Sequence, residues 1–507
     1  MSSKSTFTIR LEPIGTVLTV TRGTPLRDVL FEQGVEFPCG GNGRCRGCRV
    51  RVLQGSASLN DTQRERLSLD EIANGWRLAC QMEPDSDLVI ELRQWDIPIL
   101  ANDAEFAFTP REGLGIAVDV GTTTLVAQLL DLSTGHVLGV RSALNPQAQH
   151  GADVMSRVEL AVTTDGARLL TRLIRGEVGG MIRSLLDGTP AGVGNLRKVT
   201  VVGNTVMHHL FCGVDLEPLS HYPFEPVNDG EMVFSPGDLD WDIVQTASIH
   251  FLPCLGGFVG SDVLAGVMAT GLAESRELVG LVDLGTNGEI VIGNRDRMLC
   301  ASTAAGPAFE GARISTGMRA STGAIFSVQE RDGEPFVHVI GDVPPIGICG
   351  SGLVDAVAAG LDLGRILPSG RLARGLEEFR LAPSVVLTQT DIRQLQLAKG
   401  AISAGIRILL AQWGAEPGDL TRLYLAGAFG NYINRASARR IGLLDYDPEI
   451  IVPMGNTALL GAKLALFSED GDAAGYQNVR NRTEHVSLNT DPAFQDTYVE
   501  EMLFPPE

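Results

Sequence analysis

The chain has no run of eighteen apolar residues free of charges or glycine clusters, so no membrane span is expected. Its first residues, Met-Ser-Ser-Lys-Ser-Thr, lack the apolar stretch of a secretory signal, and a cytoplasmic protein is expected. Positive charge is short as well. A formal net charge of −20 at pH 7 argues against nucleic acid as a partner. Aromatic residues make up only 6%, so aliphatic side chains must fill the interior; 44% apolar residues over 507 positions suffices for about three domains. Residues 468–507 contain no cysteine, which excludes a thiolate-held cluster in that segment.

What is present is concentrated near the start. Cys39-Gly-Gly-Asn-Gly-Arg-Cys45-Arg-Gly-Cys48 places three cysteines in one Gly-rich loop, and Cys80 follows in Arg77-Leu-Ala-Cys80. Three clustered thiolates and one distant thiolate match the ligand set of a plant- or adrenodoxin-type 2Fe–2S cluster. A cluster with four thiolates is an anion whose sulfurs need inward backbone N–H donors. Gly40, Gly41, Gly43 and Gly47 permit the close approach this requires. A Cys₄ zinc site usually shows two separated knuckles, and this chain has one knuckle and two single cysteines. A disulfide pair fits poorly with a long acidic chain lacking a secretion signal.

The other cysteines, Cys212, Cys254, Cys300 and Cys349, lie in apolar or Gly-rich surroundings and read as small buried residues. Residues 1–95 balance acids against bases, so the excess negative charge belongs to the rest of the chain. Arg44, Arg46, Arg49 and Arg51 crowd the cysteine loop. They suit either a positive rim that steers an acidic partner or a solvated offset to the cluster's own charge.

Taken in order, residues 6–12 and 16–21 alternate as a hairpin, and Thr24-Pro25 opens a helix to Phe31. A strand follows Cys48, residues 61–73 read as a short helix, and Asp87-Leu-Val-Ile-Glu-Leu closes the module as a strand. We expect a ferredoxin-type domain over 1–94, a linker over 95–113, a two-lobed domain over 114–467 and a tail over 468–507.

The second domain opens with a repeat. Asp119-Val-Gly121-Thr122-Thr123-Thr124 joins two apolar strands, and Asp283-Leu-Gly285-Thr286-Asn287-Gly288-Glu289 does so again. Two copies imply two related lobes. Each turn offers backbone N–H groups and hydroxyls to phosphate oxygens, and each leading aspartate can hold a hydrated Mg²⁺. Asp and Gly also favour such turns for structural reasons alone. A third motif, Leu423-Tyr-Leu-Ala-Gly427-Ala-Phe-Gly430-Asn431, has glycines that would let backbone lie flat against a purine and ribose.

These hairpins and the late Gly-Ala-Phe-Gly resemble the actin-like ATPase superfamily. Behind a 2Fe–2S module they are similar to the reductive activators of corrinoid proteins. The likeness continues through Val201-Val-Gly-Asn204-Thr-Val-Met-His208-His209, Gly260-Ser-Asp262, Gly306-Pro-Ala-Phe-Glu310 and Cys349-Gly350-Ser-Gly352. It implies an α+β β-grasp ferredoxin followed by an α/β actin-like ATPase, with ATP and Mg²⁺ bound between lobes. Asp119 and Asp283 would arrange Mg²⁺, with Gly121, Thr122, Thr123, Gly285, Thr286 and Asn287 at the phosphates. Asp262 would act as general base or water positioner, or else as a helix N-cap. Asn204 would face the γ-phosphate or cap its helix, and Glu310 would touch ribose or suit a helix start. Gly350, Gly427 and Gly430 would approach the nucleotide. His208 and His209 are adjacent, so on a helix they diverge and cannot clamp one metal.

The activity so implied is ATP-dependent reduction of a corrinoid protein from Co(II) to Co(I) for methyl transfer, fed by a low-potential ferredoxin or reductase. A homodimer is compatible with it. An activator of another metalloenzyme, dehydratase-activator-like, and a non-catalytic nucleotide-binding redox sensor are the alternatives.

Overall fold

The computed structural model describes residues 6–12, 16–31, 48–92, 108–151, 153–189, 193–243, 246–285, 287–311, 313–318, 320, 323–340, 343–467 and 475–506. Cys39, Cys45 and Thr286 lie outside them, as do Arg44, Arg46 and the 95–107 part of the expected linker.

The front module is a five-stranded sheet of β1 (Thr6–Glu12), β2 (Thr16–Thr21), β3 (Arg49–Gln54), β4 (Trp76–Leu78) and β5 (Leu88–Leu92), in the order β2-β1-β5-β3-β4. The period-2 pattern of β1 turns Phe7, Ile9 and Leu11 inward, where they meet Leu26 and Leu30 of the helix Leu26–Phe31. The β1–β5 pair is parallel and its neighbours are antiparallel, which makes this a β-grasp sheet over one helix. The expected helix over 61–73 is two short ones, Asp61–Arg66 and Leu69–Ala73. Ser68 divides them by capping the second with a reciprocal bond to Glu71. Between them and the sheet lies the buried Gln63. Its amide donates to the Ser58 and Gln81 carbonyls and accepts from Leu78 N–H, which pins the chain on both sides of Cys80.

The rest of the described chain holds two sheets of one topology. The first comprises β6 (Leu114–Val120), β7 (Thr124–Asp131), β8 (Val137–Leu144), β9 (Leu196–Gly203), β10 (Met232–Phe234) and β11 (Ser248–Phe251), ordered β10-β11-β9-β6-β7-β8. The second begins with β12 (Val279–Leu284), β13 (Gly288–Gly293) and β14 (Met298–Thr303). Two small sheets interrupt it: β16 (Glu334–Val339) and β17 (Gly347–Ile348) on either side of β15 (Ala324–Arg331), and β18 (Glu378–Ala382) with β19 (Val385–Thr388). It resumes with β20 (Arg422–Ala426), β21 (Ile451–Gly455) and β22 (Thr483–His485), ordered β21-β20-β12-β13-β14-β22. The run β11-β9-β6-β7-β8 of one sheet thus recurs as β21-β20-β12-β13-β14 in the other, with the same parallel and antiparallel pairs.

Each sheet has its own outer core, and a third core joins them. The shared core is built on the helices Ser261–Thr270 and Thr457–Leu466, which lie between the two sheets. These helices touch at backbone distance. A Cβ on Gly461 would stand 2.1 Å from the Ala265 carbonyl oxygen, so only glycine fits. That close crossing brings the N-termini of both helices to the seam between the lobes. The segment expected as a tail holds β22, which pairs with β14, and the helix Phe494–Glu501. Gln396 and Lys399 of the helix Gln389–Trp413 donate to the Met502 and Leu503 carbonyls and fasten it down.

Candidate functional site at the seam between the lobes

The first hairpin closes where Gly121 N–H donates to the Thr124 carbonyl at 3.1 Å. The turn is held from behind by three side chains. Asn145 Nδ2 donates to Gly121 O at 2.9 Å, and Arg157 Nη2 donates to Thr122 O at 2.6 Å. Asn204 Nδ2 donates to Thr122 Oγ1 at 3.0 Å while its Oδ1 accepts from Met207 N–H, so it caps its helix and steadies the hairpin at once. Arg157 is fully buried and also donates to Gly151 O and Gln147 Oε1. Burial lowers its pKa to about 10, so it remains a cation beneath the turn.

The second hairpin closes through Gly285 N–H to the Asn287 carbonyl at 3.0 Å. Here Asp283 pairs across the β12–β13 ladder with Glu289. Glu289 is held well above the usual carboxylate range by burial, then by the negative charges of Asp262 and Asp283. Gly427 has φ +81°, and a Cβ there would stand 2.7 Å from Asp283 Oδ1. The third glycine motif therefore lies directly against the second aspartate.

Asp119, Asp262 and Asp283 come from three elements and meet at this seam. The cap of the helix Ser261–Thr270 is Gly260, so the N-cap reading of Asp262 is not what forms. Asp262 sits one residue inside the helix, with Oδ1 accepting from Val263 N–H at 2.9 Å. The pKa of Asp262 is raised to about 8 by burial and then by Asp283, that of Asp283 to about 7 by burial and then Asp119, and that of Asp119 to about 6 by burial. Asp119 sits lowest because Asn456 Nδ2 donates to its Oδ2 at 2.8 Å. The Asp283 carboxylate accepts no hydrogen bond among the described residues. Crowded carboxylates with so few donors fit a site that completes itself with a cation. Among the described residues no three of His, Cys, Asp and Glu stand close enough to chelate one metal directly.

The remaining sequence-predicted residues gather in the second lobe. A Cβ on Gly350 would overlap the Phe309 carbonyl oxygen and press on the Phe429 ring. Phe309 and Phe429 stack with centroids 4.7 Å apart, so the 307–310 turn carrying Glu310 and the 427–432 helix carrying Gly430 are neighbours.

In the front module Cys48 and Cys80 are buried in one core, and Ala79, next to Cys80, donates its N–H to Cys48 O at 3.0 Å. Gln81 Nε2 reaches Cys80 Sγ at 3.7 Å, an N–H donor to sulfur. Arg49 is engaged by Glu71 and the Trp76 face, and Arg51 by Asn74 O and Glu91. Cys212, Cys254, Cys300 and Cys349 are buried with their pKa values pushed up by desolvation, as inert thiols are.

Sequence reasoning missed Glu289, Asn456, Asn145 and Arg157. Two had a visible trace: Gly455-Asn456-Thr457 repeats Gly203-Asn204-Thr205, and Glu289 ends the second hairpin motif. Arg157, inside an ordinary amphipathic stretch, had none.

Comparison with known proteins gives three matching family models. They are the 2Fe-2S iron-sulfur cluster binding domain over residues 9–85, the RACo middle region over 114–275, and the C-terminal, ASKHA domain of RACo over 277–507. The corrinoid activation enzyme RamQ of Eubacterium limosum is 35% identical over 421 residues, covering 77% of this chain and 70% of RamQ. The [Co(II) methylated amine-specific corrinoid protein] reductase of Methanosarcina barkeri is 27% identical over 427 residues, covering 77% of each. A solved structure of a reductive activator for corrinoid, iron-sulfur protein superposes with a TM-score of 0.68 at 28% identity over 98% of both chains.

Proposed function

The chain belongs to the family of reductive activators of corrinoid proteins, and from that membership we propose that it uses ATP to return a corrinoid protein from Co(II) to Co(I) in the cytoplasm. The observation that carries the reading is one chain combining a thiol-bearing β-grasp module with two repeated hairpins whose aspartates meet at a seam.

In this reading residues 1–94 form the electron-receiving module, 95–113 a linker, 114–467 the nucleotide lobes and 468–507 a tail whose residues 475–506 are fastened onto the second lobe. Cys48 and Cys80 fit a cluster site because both are buried in one core and an N–H donor is aimed at the Cys80 sulfur. Cys39 and Cys45 complete the ligand set. A 2Fe–2S cluster held there supplies a one-electron store near about −400 mV. A low-potential ferredoxin or reductase fills that store, and the cobalt of the docked corrinoid protein is the substrate that accepts the electron.

The seam residues take these roles. Gly121, Thr122 and Thr123 meet phosphate oxygens with the Arg157 cation behind them, and Asn204 orients Thr122. Asp119 and Asp283 would hold a hydrated Mg²⁺, which would supply positive charge to the phosphates. Asp262, the most basic of the three, takes a proton from attacking water. Gly285, Thr286 and Asn287 meet phosphate from the second lobe, and Gly350, Gly427, Gly430 and Glu310 hold the nucleoside. Since Asn456 of one lobe grips Asp119 of the other, any change in lobe angle is felt at the phosphate end of the site. ATP biases that angle through its different affinity for the open and closed arrangements.

The test is ATP turnover by the reconstituted full-length protein with and without a Co(II) corrinoid protein. Turnover that rises with the partner supports the reading, and turnover indifferent to it contradicts it.

A further inference from the structure

β8 and β14 hold the same place in the two sheets, and the loops that follow them belong to opposite lobes. Each strand ends beside its own hairpin turn. Asn145, the residue after β8, donates its N–H to Thr123 O at 2.9 Å, and Thr303 of β14 pairs with Gly288. The first loop runs to Asp153, which caps the helix Val154–Ala161. Its Oδ1 accepts from Ser156 N–H at 2.8 Å and from Ser156 Oγ at 2.9 Å. The second loop passes Glu310 and reaches Arg313.

Arg313 is the odd residue of its loop. Its φ is +62°, in the left-handed region that a residue with a Cβ occupies at a cost. The residues after it leave no room to relax. Ile314 is buried in the second-lobe core, and Ser315 is held by Asp391 of the helix Gln389–Trp413. Asp391 Oδ1 accepts from Ser315 N–H at 2.7 Å and from its hydroxyl at 3.1 Å. The arginine side chain so presented is exposed, and among the described residues it makes no hydrogen bond or ion pair. A strained, pinned and unpartnered arginine calls for a contact made in another arrangement of the molecule. Asp153 makes no ion pair among the described residues either. Its carboxyl is held below the ordinary value first by the Ser156 donors and also by the charge of Arg313, which reaches it from the other lobe.

We propose that Arg313 and Asp153 are the two halves of a latch, an ion pair that forms when the lobes close on nucleotide and that makes Arg313 a positioning residue for the ATP-dependent step. The inference rests on the ATP-driven lobe closure proposed above. The two loops ride on different lobes, so their separation follows the lobe angle. A pair made only in the closed arrangement stabilises that state alone, and it raises ATP affinity without touching the nucleotide. The latch also has a route to the phosphates. Arg157 stands one turn after Asp153 on the same helix, with its N–H on Asp153 O at 3.3 Å, and its guanidinium holds Thr122 O. Cation, anion and cation thus alternate from the loop carrying Glu310 to the first hairpin turn. Closing the latch braces the helix that supports that turn.

The experiment is a double-mutant cycle on ATP affinity, measured by calorimetric titration of the full-length, cluster-loaded protein and its variants R313Q, D153N and R313Q/D153N. Asparagine keeps the oxygen that caps the helix, so D153N removes the charge alone. Each single variant should weaken ATP about threefold to fivefold, and the double variant by the same factor, because either change already breaks the pair. The difference from the unaltered protein should shrink at about 0.5 M salt. Without nucleotide the Tm of R313Q should be unchanged, whereas a merely structural arginine would lower it. Five results overturn the latch alone: losses that multiply in the double variant, a loss in R313Q with none in D153N, a difference untouched by salt, a lowered nucleotide-free Tm in R313Q, or one affinity for all four proteins. An unaltered protein that binds no ATP overturns the proposed function and the latch together.

Discussion

The two hairpins at the seam share a backbone and differ in what stands behind it. In the first, Asp119 pairs across the ladder with Val126, and a buried cation, Arg157, supports the turn. In the second, Asp283 pairs with Glu289, and a third acid, Asp262, adds its charge. Duplication preserved the strand–turn–strand unit that presents N–H groups. The neighbouring residues then divided the labour, with a cationic backing suited to phosphate on one side and an acidic backing suited to a metal ion on the other. Function in a repeated fold is thus written in residues one strand away from the repeat.

The largest effect that would break this division is on turnover. Asp119→Ala and Asp283→Ala should each lower ATP turnover by about 10²–10³, the usual scale for one preorganised electrostatic group. If either left turnover intact, that hairpin would have no part in the chemistry. Arg157→Met should destabilise the fold by about 3 kcal/mol in a denaturant titration, because the Thr122, Gly151 and Gln147 acceptors lose their donor. It should also weaken nucleotide binding, whereas a change behind the second hairpin should weaken the metal ion instead.

The acidic backing has a signed dependence on pH. Asp119, Asp262 and Asp283 have folded pKa values of about 6, 8 and 7, above an unfolded value near about 3.9. The folded state therefore holds protons that the unfolded chain has released, and this stabilisation is complete below about pH 4 and lost as pH rises to 8. Calorimetry without Mg²⁺ should show Tm falling from pH 5 to 8, with Mg²⁺ restoring it far more at pH 8 than at pH 5. An equal Mg²⁺ effect at both values would remove the carboxylates as its site.

Smaller shifts sharpen the contrast. Glu289 is held protonated by burial and its acidic neighbours, so Glu289→Gln should leave the acid limb of the pH–turnover profile in place, with Mg²⁺ affinity down about tenfold. Asn456→Ala removes the donor that holds Asp119 acidic, so its limb should move to higher pH, with turnover down roughly fivefold. Equal shifts in the two variants would mean that the two hairpins are not chemically distinct.

Much of this was legible in the chain because its carriers are local. The Asp-x-Gly-Thr turns, the strands around them and the glycines after β20 announce themselves within a few residues. Asp262 was legible as a site residue but not in its setting, since Gly260 takes the cap and leaves the carboxylate for the seam. Arg157 reaches Thr122 from a helix packed under the first hairpin, and Asn456 reaches Asp119 from the far end of the chain once two helices have crossed at Gly461. No periodicity encodes such a contact.

The most direct test of the central claim is a single-turnover reaction between the reduced full-length protein and a Co(II) corrinoid protein, followed by the absorbance of Co(I), with ATP present or omitted. Co(I) should form with ATP and fail to form without it, and Asp119→Ala should behave with ATP as the unaltered protein does without it. Co(I) appearing equally fast in the absence of nucleotide would contradict the account.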